Sequence, residues 1–581
     1  MSADTTSPRD RIESALHLLG LRQKVRLLTG ASFWATHPDE SIGLGALSLS
    51  DGPAGVRGGG WDERRTSLML PCPAALAATW DGDLAREYGA VLGRRARAAG
   101  GHVLLAPTVN LQRSPRGGRN FESMGEDPVL AARMAVGYVS GVQSVGVAAT
   151  VKHFAGNEVE TNRMRYDVRA SMDLLRATYL LPFESSVREA GAWAVMAAYN
   201  AVNGSPMTEN QELLDGVLRE DWGFDGLVVS DWGATVSTVP SAEASLDLVM
   251  PGPDGPWAER LLDAVRRGEV DADVIDAKVR RLLRLAKRVG AWPVPGPEGH
   301  ANRHGPVDRD ADDTLARRVA AAGSVLLKHT GVLPLSASAH RRVALIGSAA
   351  LHLSLQGGGS AHVEPERRST LAGELATALG PDVHIDVVAG PAISRYAPDI
   401  AELSSDPSTG EPGIRLEYVD GEGHTVESEH RSRGRLVLLP DDLPRGACAV
   451  RIRAQVRVDV DGEHCLELCG SGTFDVQVPG SLSEQVVIAG PSDDPVWALS
   501  KPPSQCLPLP LLAGSVVDID IIHPLPSDSL VALRVGWAPP ESSRQDVIAK
   551  AARAAASCDV AIVVVGTTDE VESEGFDRPD L

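Results

Sequence analysis

A chain of 581 residues, 43% hydrophobic and 23% charged, has the length and composition of a globular protein with several domains. Its 77 acidic against 56 basic side chains leave a formal charge of −21, which argues against nucleic acid and anionic membranes as partners and suits a neutral, hydroxyl-rich ligand. No stretch approaches the ~20 consecutive apolar residues of a membrane span. The amino terminus carries Asp10, Arg11 and Glu13 where a secretory leader needs an apolar run, so a cytoplasmic protein is expected.

From about 15 to 290, short apolar runs alternate with amphipathic stretches, the pattern of β/α units. Strands are predicted at 46–50, 103–106, 147–151, 192–198, 226–230 and 246–250, with helices such as 82–99 and 169–189 between them. These strands run into Asp51-Gly52, Lys152-His153, Tyr199-Asn200 and Asp231-Trp232. Polar residues gathered at the carboxyl ends of successive strands favour a TIM-like (β/α)8 barrel, whose site is built from those loops. Residues 293–310 are rich in Pro, Gly and charge and read as a linker. Apolar runs at 324–328 and 343–347 then open a second α/β domain.

Between 398 and 540 the apolar pattern changes to period two, as in 449–459, 515–522 and 530–536, which predicts an all-β module. A helix at about 543–556 and an apolar run at 559–565 restore the α/β style, so the module is expected to interrupt the second domain. The division is therefore 1–292, a linker at 293–315, 316–397, the module at 398–540, and 541–581. The six cysteines, Cys72, Cys448, Cys465, Cys469, Cys506 and Cys558, show no Cys-x-x-Cys spacing. They are expected to be buried free thiols, with no metal site.

Cleaving an acetal at neutral pH needs two carboxyl groups with opposed duties, one held ionised and one holding a proton. Asp231 follows the buried run 226–230 and precedes Trp232, whose ring could pack on the apolar face of a sugar. It reads equally well as the cap of a following helix. Lys152, His153 and Arg163 lie close together in sequence and fit either hydroxyl recognition or a structural ion-pair network, as do Arg116 and Arg119. The glycines between those two arginines predict close backbone approach rather than a phosphate cradle, and Gly357-Gly358-Gly359 is also weak as a phosphate loop. Glu570, Glu572, Glu574 and Asp577 crowd one loop near the carboxyl end. Like charges raise one another's pKa, as a general acid requires, but composition alone describes a solvated acidic loop.

Seven segments occur in an order that resembles glycoside hydrolase family 3. They are LSDGPAGVRG (49–58), GRNFESMGEDP (118–128), VKHFAGNEVETNRM (151–164), VMAAYNAVNG (195–204), GLVVSDWGA (226–234), SVLLKHTGVLPL (324–335) and ESEGFDR (572–578). The resemblance implies a TIM-like barrel followed by an α/β sandwich, with the active site between them. It casts Asp231 as nucleophile and Glu574 as acid/base. It also implies that Asp51, Arg119, Lys152, His153, Arg163 and Tyr199 hold the innermost sugar, with Trp232 beside it and Ser360 reaching in from the second domain. Segment 398–540 is similar to the protective-antigen-type β-sandwich that some members carry.

The activity implied is that of a retaining, exo-acting β-glycosidase on terminal β-D-glucosyl residues of β-glucosides or small oligosaccharides, with no metal or organic cofactor. The 155–162 loop lacks the His of hexosaminidase members, which favours a glucosidase. A β-xylosidase or arabinosidase, and a catalytically impaired sugar-binding remnant, are the alternatives; self-association is left open. His329 stands where the family commonly has Asn, and Val571 where it commonly has an aromatic. The chain also stops at Leu581, where the family's sandwich continues, so an incomplete second domain and a loosely held Glu574 are expected.

Overall fold

The computed structural model describes residues 8–293, 307–490, 497–526, 530–540 and 543–581; most of the predicted linker, 294–306, lies outside them. Five strands, β1 (Leu49–Asp51), β2 (Val103–Leu105), β3 (Ala148–Phe154), β4 (Ala194–Ala197) and β5 (Leu227–Ser230), form a parallel sheet in that order. Every residue of β3 is buried, as expected of a parallel strand covered on both faces. The helices α1 (Gly82–Ala98) and α2 (Pro128–Ser144) pack against each other over the connections. Each begins at an aspartate, Asp81 or Asp127, whose carboxylate accepts two main-chain N–H groups of the first turn. Such a cap stabilises a helix by about 1 kcal/mol. Buried Tyr88 and Tyr138, one from each helix, both donate to the Pro53 carbonyl and so hold the loop that leaves β1.

Segment 246–250, predicted as a strand, joins the sheet only through single bridges, Leu248 to Val229 and Val249 to Thr29. Pro251, which has no N–H to donate, ends the run. Among the described residues the sheet therefore holds five strands joined by four ladders, not the eight strands of a complete barrel. The predicted helix 169–189 is also broken. It is split into Met172–Leu174, a π-helical turn over Leu175–Tyr179, and Leu181–Arg188, with Pro182 in the first turn of the last piece.

In the second α/β region, β6 (Arg342–Ile346) lies between β7 (His384–Val388) and β8 (Val560–Val563), all parallel. The apolar run at 324–328 forms no strand among the described residues. Val325, Leu326 and Leu327 are exposed and pair with no strand among the described residues. Between β7 and β8 in sequence lie a seven-stranded and a four-stranded antiparallel sheet. Strand Ala449–Arg457 alternates buried and half-buried residues, the period-two signature read from sequence. Inward side chains of both sheets, among them Ile452, Phe474, Ile521, Leu466 and Trp537, share one core.

The expectation of free thiols is corrected. Cys465 and Cys506, on adjacent antiparallel strands with Cα atoms 5.6 Å apart, are joined in a disulfide. Of the other cysteines only Cys469 is fully buried. Strand pairing brings the two partners together across 41 residues, which spacing along the chain does not reveal. Among the described residues, no helix is long and apolar enough to cross a membrane.

Candidate active site

The carboxyl ends of β1, β3 and β5 deliver Asp51, Lys152 with His153, and Asp231 to one buried cluster. Asp51 Oδ1 accepts from Lys152 Nζ at 2.8 Å and from Gly52 N–H at 2.9 Å. Burial pushes its pKa up, but Lys152 and Arg57 outweigh that and hold it below the usual range. Asp231 Oδ1 accepts the Trp232 N–H at 2.8 Å, while Oδ2 has no hydrogen-bond partner among the described residues and lies 3.6 Å from His153 Nε2. The alternative role as a helix cap fails, since the next helix, Val239–Glu243, has Thr238 at its N-cap position. Trp232 is fixed by its Nε1–H to the Phe33 carbonyl at 2.9 Å and by the Tyr199 hydroxyl on its own carbonyl at 3.1 Å.

Glu574 joins this cluster from the other end of the chain. Its Oε1 accepts from Arg163 Nη1 at 2.7 Å and lies 3.6 Å from Arg119 Nη1; its Oε2 accepts the Ser360 main-chain N–H at 2.7 Å. Arg163 also bonds Glu160 at 2.9 Å and stacks over the Tyr199 ring, while Arg119 pairs with Glu122. All eight sugar-contact candidates are thus near one or other of the two carboxylates or their partners.

The loop carrying Glu574 is not loosely held. Glu574 N–H donates to Gly358 at 3.2 Å, Gly575 N–H to Glu160 at 2.9 Å, and Arg578 N–H to Arg116 at 2.8 Å. Asp577 accepts main-chain N–H groups of Gly118, Glu160 and Thr161 at 3.0–3.2 Å. Two glycines make the contact possible. A Cβ on Gly118 would lie 1.9 Å from the Phe576 carbonyl oxygen, and one on Gly359, whose φ is +102°, would lie 2.4 Å from Glu574 Cβ. Both glycine runs therefore serve close approach. Arg116, weighed beside Arg119, pins this loop by donating to the Pro579 carbonyl at 3.1 Å.

The amino-terminal domain model of glycosyl hydrolase family 3 matches residues 55–285, and the carboxyl-terminal domain model matches 324–581. The chain belongs to this family. It is 37% identical over 585 residues to a β-glucosidase of Rhizobium radiobacter, covering 98% of this chain and 69% of that protein. It is 36% identical to β-glucosidase B of Emericella nidulans, covering 98% and 68%. Among solved structures it resembles the β-glucosidase of Kluyveromyces marxianus in complex with glucose, with a TM-score of 0.87 at 27% identity, covering 99% of this chain and 70% of that one.

In this family 3 chain, burial pushes Asp231 up to about 6, against the pull of Arg119, Arg163 and Lys152. For Glu574 the balance reverses: burial raises it, but Arg119 and Arg163 hold it well below the usual carboxylate range. The reading in which crowded acids raise the Glu574 pKa is therefore corrected. Glu570 is paired with Arg534, Glu572 accepts from Thr567, and Asp577 is taken up by main-chain donors, so arginines set the field at Glu574.

Sequence reading missed four residues. Arg57 is buried, sandwiched between the Trp34 and Trp61 rings at 4.2 and 3.9 Å, and its three guanidinium nitrogens have no hydrogen-bond partner among the described residues. Its place in DGPAGVRG, six residues after Asp51, was the available signal. Asn110, Glu122 and Glu160 hold His153, Arg119 and Arg163 respectively. Nothing local in their segments marks them.

Proposed function

We propose that this chain is a retaining β-glucosidase acting on terminal β-D-glucosyl residues, with Asp231 as nucleophile and Glu574 as acid/base. One observation carries the reading: two carboxylates 343 positions apart in sequence meet in one buried cluster with Lys152, His153, Arg119 and Arg163. The names of the relatives support it.

In the first step an Asp231 oxygen bonds to the anomeric carbon as the bond to the aglycone oxygen breaks, and Glu574 gives its proton to that oxygen. In the second, water attacks the anomeric carbon, its proton passes to Glu574, and the bond to Asp231 breaks, so configuration is retained. Sugar hydroxyls compete with Glu574 for Arg119 and Arg163, and an aglycone excludes water from it. Both raise its affinity for the proton it must donate. Asp51, Lys152, His153, Arg163, Arg119 and Tyr199 hold the sugar on this reading, with Trp232 against its face and Ser360 at its edge.

The scaffold on this reading is a TIM-like barrel over 1–292, a linker at 293–315, and an α/β sandwich in two parts, 316–397 and 541–581, interrupted by a protective-antigen-type β-sandwich at 398–540. Hydrolysis of p-nitrophenyl β-D-glucoside by the wild type, beside Asp231→Ala and Glu574→Ala, tests the assignment. Turnover that collapses in both variants, with β-glucose as the first product by NMR, is expected. An inverted product, or full activity in either variant, overturns it.

A further inference from the structure

The side chain that governs His153 is Asn110, outside every segment that carries the carboxylates. Its Oδ1 accepts the His153 main-chain N–H at 2.7 Å, and its Nδ2 donates to the His153 carbonyl at 3.1 Å and to Glu158 Oε1 at 3.3 Å. These main-chain groups fix which end of the amide is oxygen, because an N–H cannot accept and a carbonyl cannot donate. The same Oδ1 lies 3.0 Å from His153 Nδ1. Since that oxygen is only an acceptor, Nδ1 must carry the proton. Asn110 and His153 are buried, and Glu158 is half-buried.

On the other side of the ring, Nε2 faces Asp231 Oδ2 at 3.6 Å, and that oxygen has no hydrogen-bond partner among the described residues. Burial, with Arg119 and Lys152 nearby, holds His153 well below the ordinary histidine range, so the ring is neutral. A neutral ring protonated at Nδ1 has only a lone pair at Nε2. Were the proton on Nε2 instead, the ring could hydrogen-bond Asp231 and occupy the oxygen needed for attack.

We propose that Asn110 is a positioning residue: it locks His153 in the Nδ1–H form, so that Nε2 leaves Asp231 free and accepts a hydrogen bond from one hydroxyl of the bound sugar. The last clause rests on the glucosidase reading; the tautomer does not. Glu158, on the far side of the Asn110 amide, is the second acceptor that keeps Nδ2 turned away from the ring.

The test has two readouts. Long-range 1H–15N spectra of 15N-histidine-labelled protein, with His153→Gln for assignment, should show His153 as the Nδ1–H tautomer in the wild type. Asn110→Asp, which keeps the accepting oxygen, should retain that form, and Asn110→Ala should lose it. A wild-type Nε2–H ring, or a tautomer unchanged in Asn110→Ala, overturns the proposal. In kinetics, Asn110→Ala should lower kcat/KM on p-nitrophenyl β-glucoside roughly tenfold. Across the monodeoxy glucosides, the penalty for deleting one particular hydroxyl should shrink in that variant. An equal loss on every analogue would mean a merely structural role and would also overturn it. A folded wild type without turnover would remove the proposed function and leave the spectrum to decide the tautomer.

Discussion

Replacing Gly118 with alanine should separate the two carboxylates without touching either. The new Cβ would lie 1.9 Å from the Phe576 carbonyl oxygen and 2.3 Å from that of Ser573, main-chain atoms that flank Glu574 on both sides. Ordinary contact begins near 3.4 Å, so the 573–576 loop must retreat by about 1.5 Å. Gly118 is not among the glycines with positive φ, so the obstacle is steric and alanine itself is unstrained there. A retreat of that size breaks the Glu574 contacts to Arg163 and Ser360, both now at 2.7 Å.

Misplacing a catalytic group by about 1 Å costs on the order of 10²-fold in rate. Overpacking costs roughly 1–3 kcal/mol of stability, so the fold should survive. The assay is a leaving-group series. Cellobiose, whose aglycone needs a proton, should lose about a hundredfold in kcat, while 2,4-dinitrophenyl β-glucoside, whose aglycone leaves unaided, should lose far less. Wild-type kcat on cellobiose in a folded Gly118→Ala protein would refute the claim that this contact sets the position of Glu574.

Asp231 is pushed up to about 6 from 3.8, so between those values the folded protein binds more protons than the unfolded chain and loses stability as pH rises. Asp231→Asn should therefore be more stable at neutral pH, by up to about 3 kcal/mol, with the gain gone below about pH 4 in melting curves. For the same reason wild-type kcat/KM should fall as pH drops through about 6, because the nucleophile must be ionised. Arg431→Met should lower the melting temperature by removing one partner of its buried pair with Glu63, an expected cost of about 3–5 kcal/mol. Glu63→Leu added to it should recover most of that, and no recovery would show that an unpaired Glu63 is not the source of the loss. Cys506→Ser should destabilise by about 2–4 kcal/mol, since the disulfide spans 41 residues, and thiol titration of the denatured, unreduced wild type should find four free cysteines rather than six.

Much of the fold was legible because its signals are local. Five strands of the first sheet lie within a few residues of their apolar runs, and the period-two segments at 449–459, 515–522 and 530–536 are strands within one residue or two at each end. The failures share a cause. The runs 246–250 and 324–328 have strand composition, but an apolar run becomes a ladder only when a neighbour presents free main-chain groups beside it. The cysteine reading failed similarly, since pairing depended on strand register.

Strand-end position alone marked Asp51, Lys152, His153 and Asp231, because a parallel strand must leave its covered layer at its carboxyl end, where the next loop begins. The family motifs added Glu574. The charge state of each carboxylate was decided only by tertiary structure. Arg163 reaches Glu574 across 411 positions, and Ser360 across 214, and these contacts reverse the sign expected from the acidic neighbours of Glu574 in sequence. Coulomb interactions act through space over a few ångströms, so the residues that set a pKa are those the fold brings near, whatever their distance along the chain.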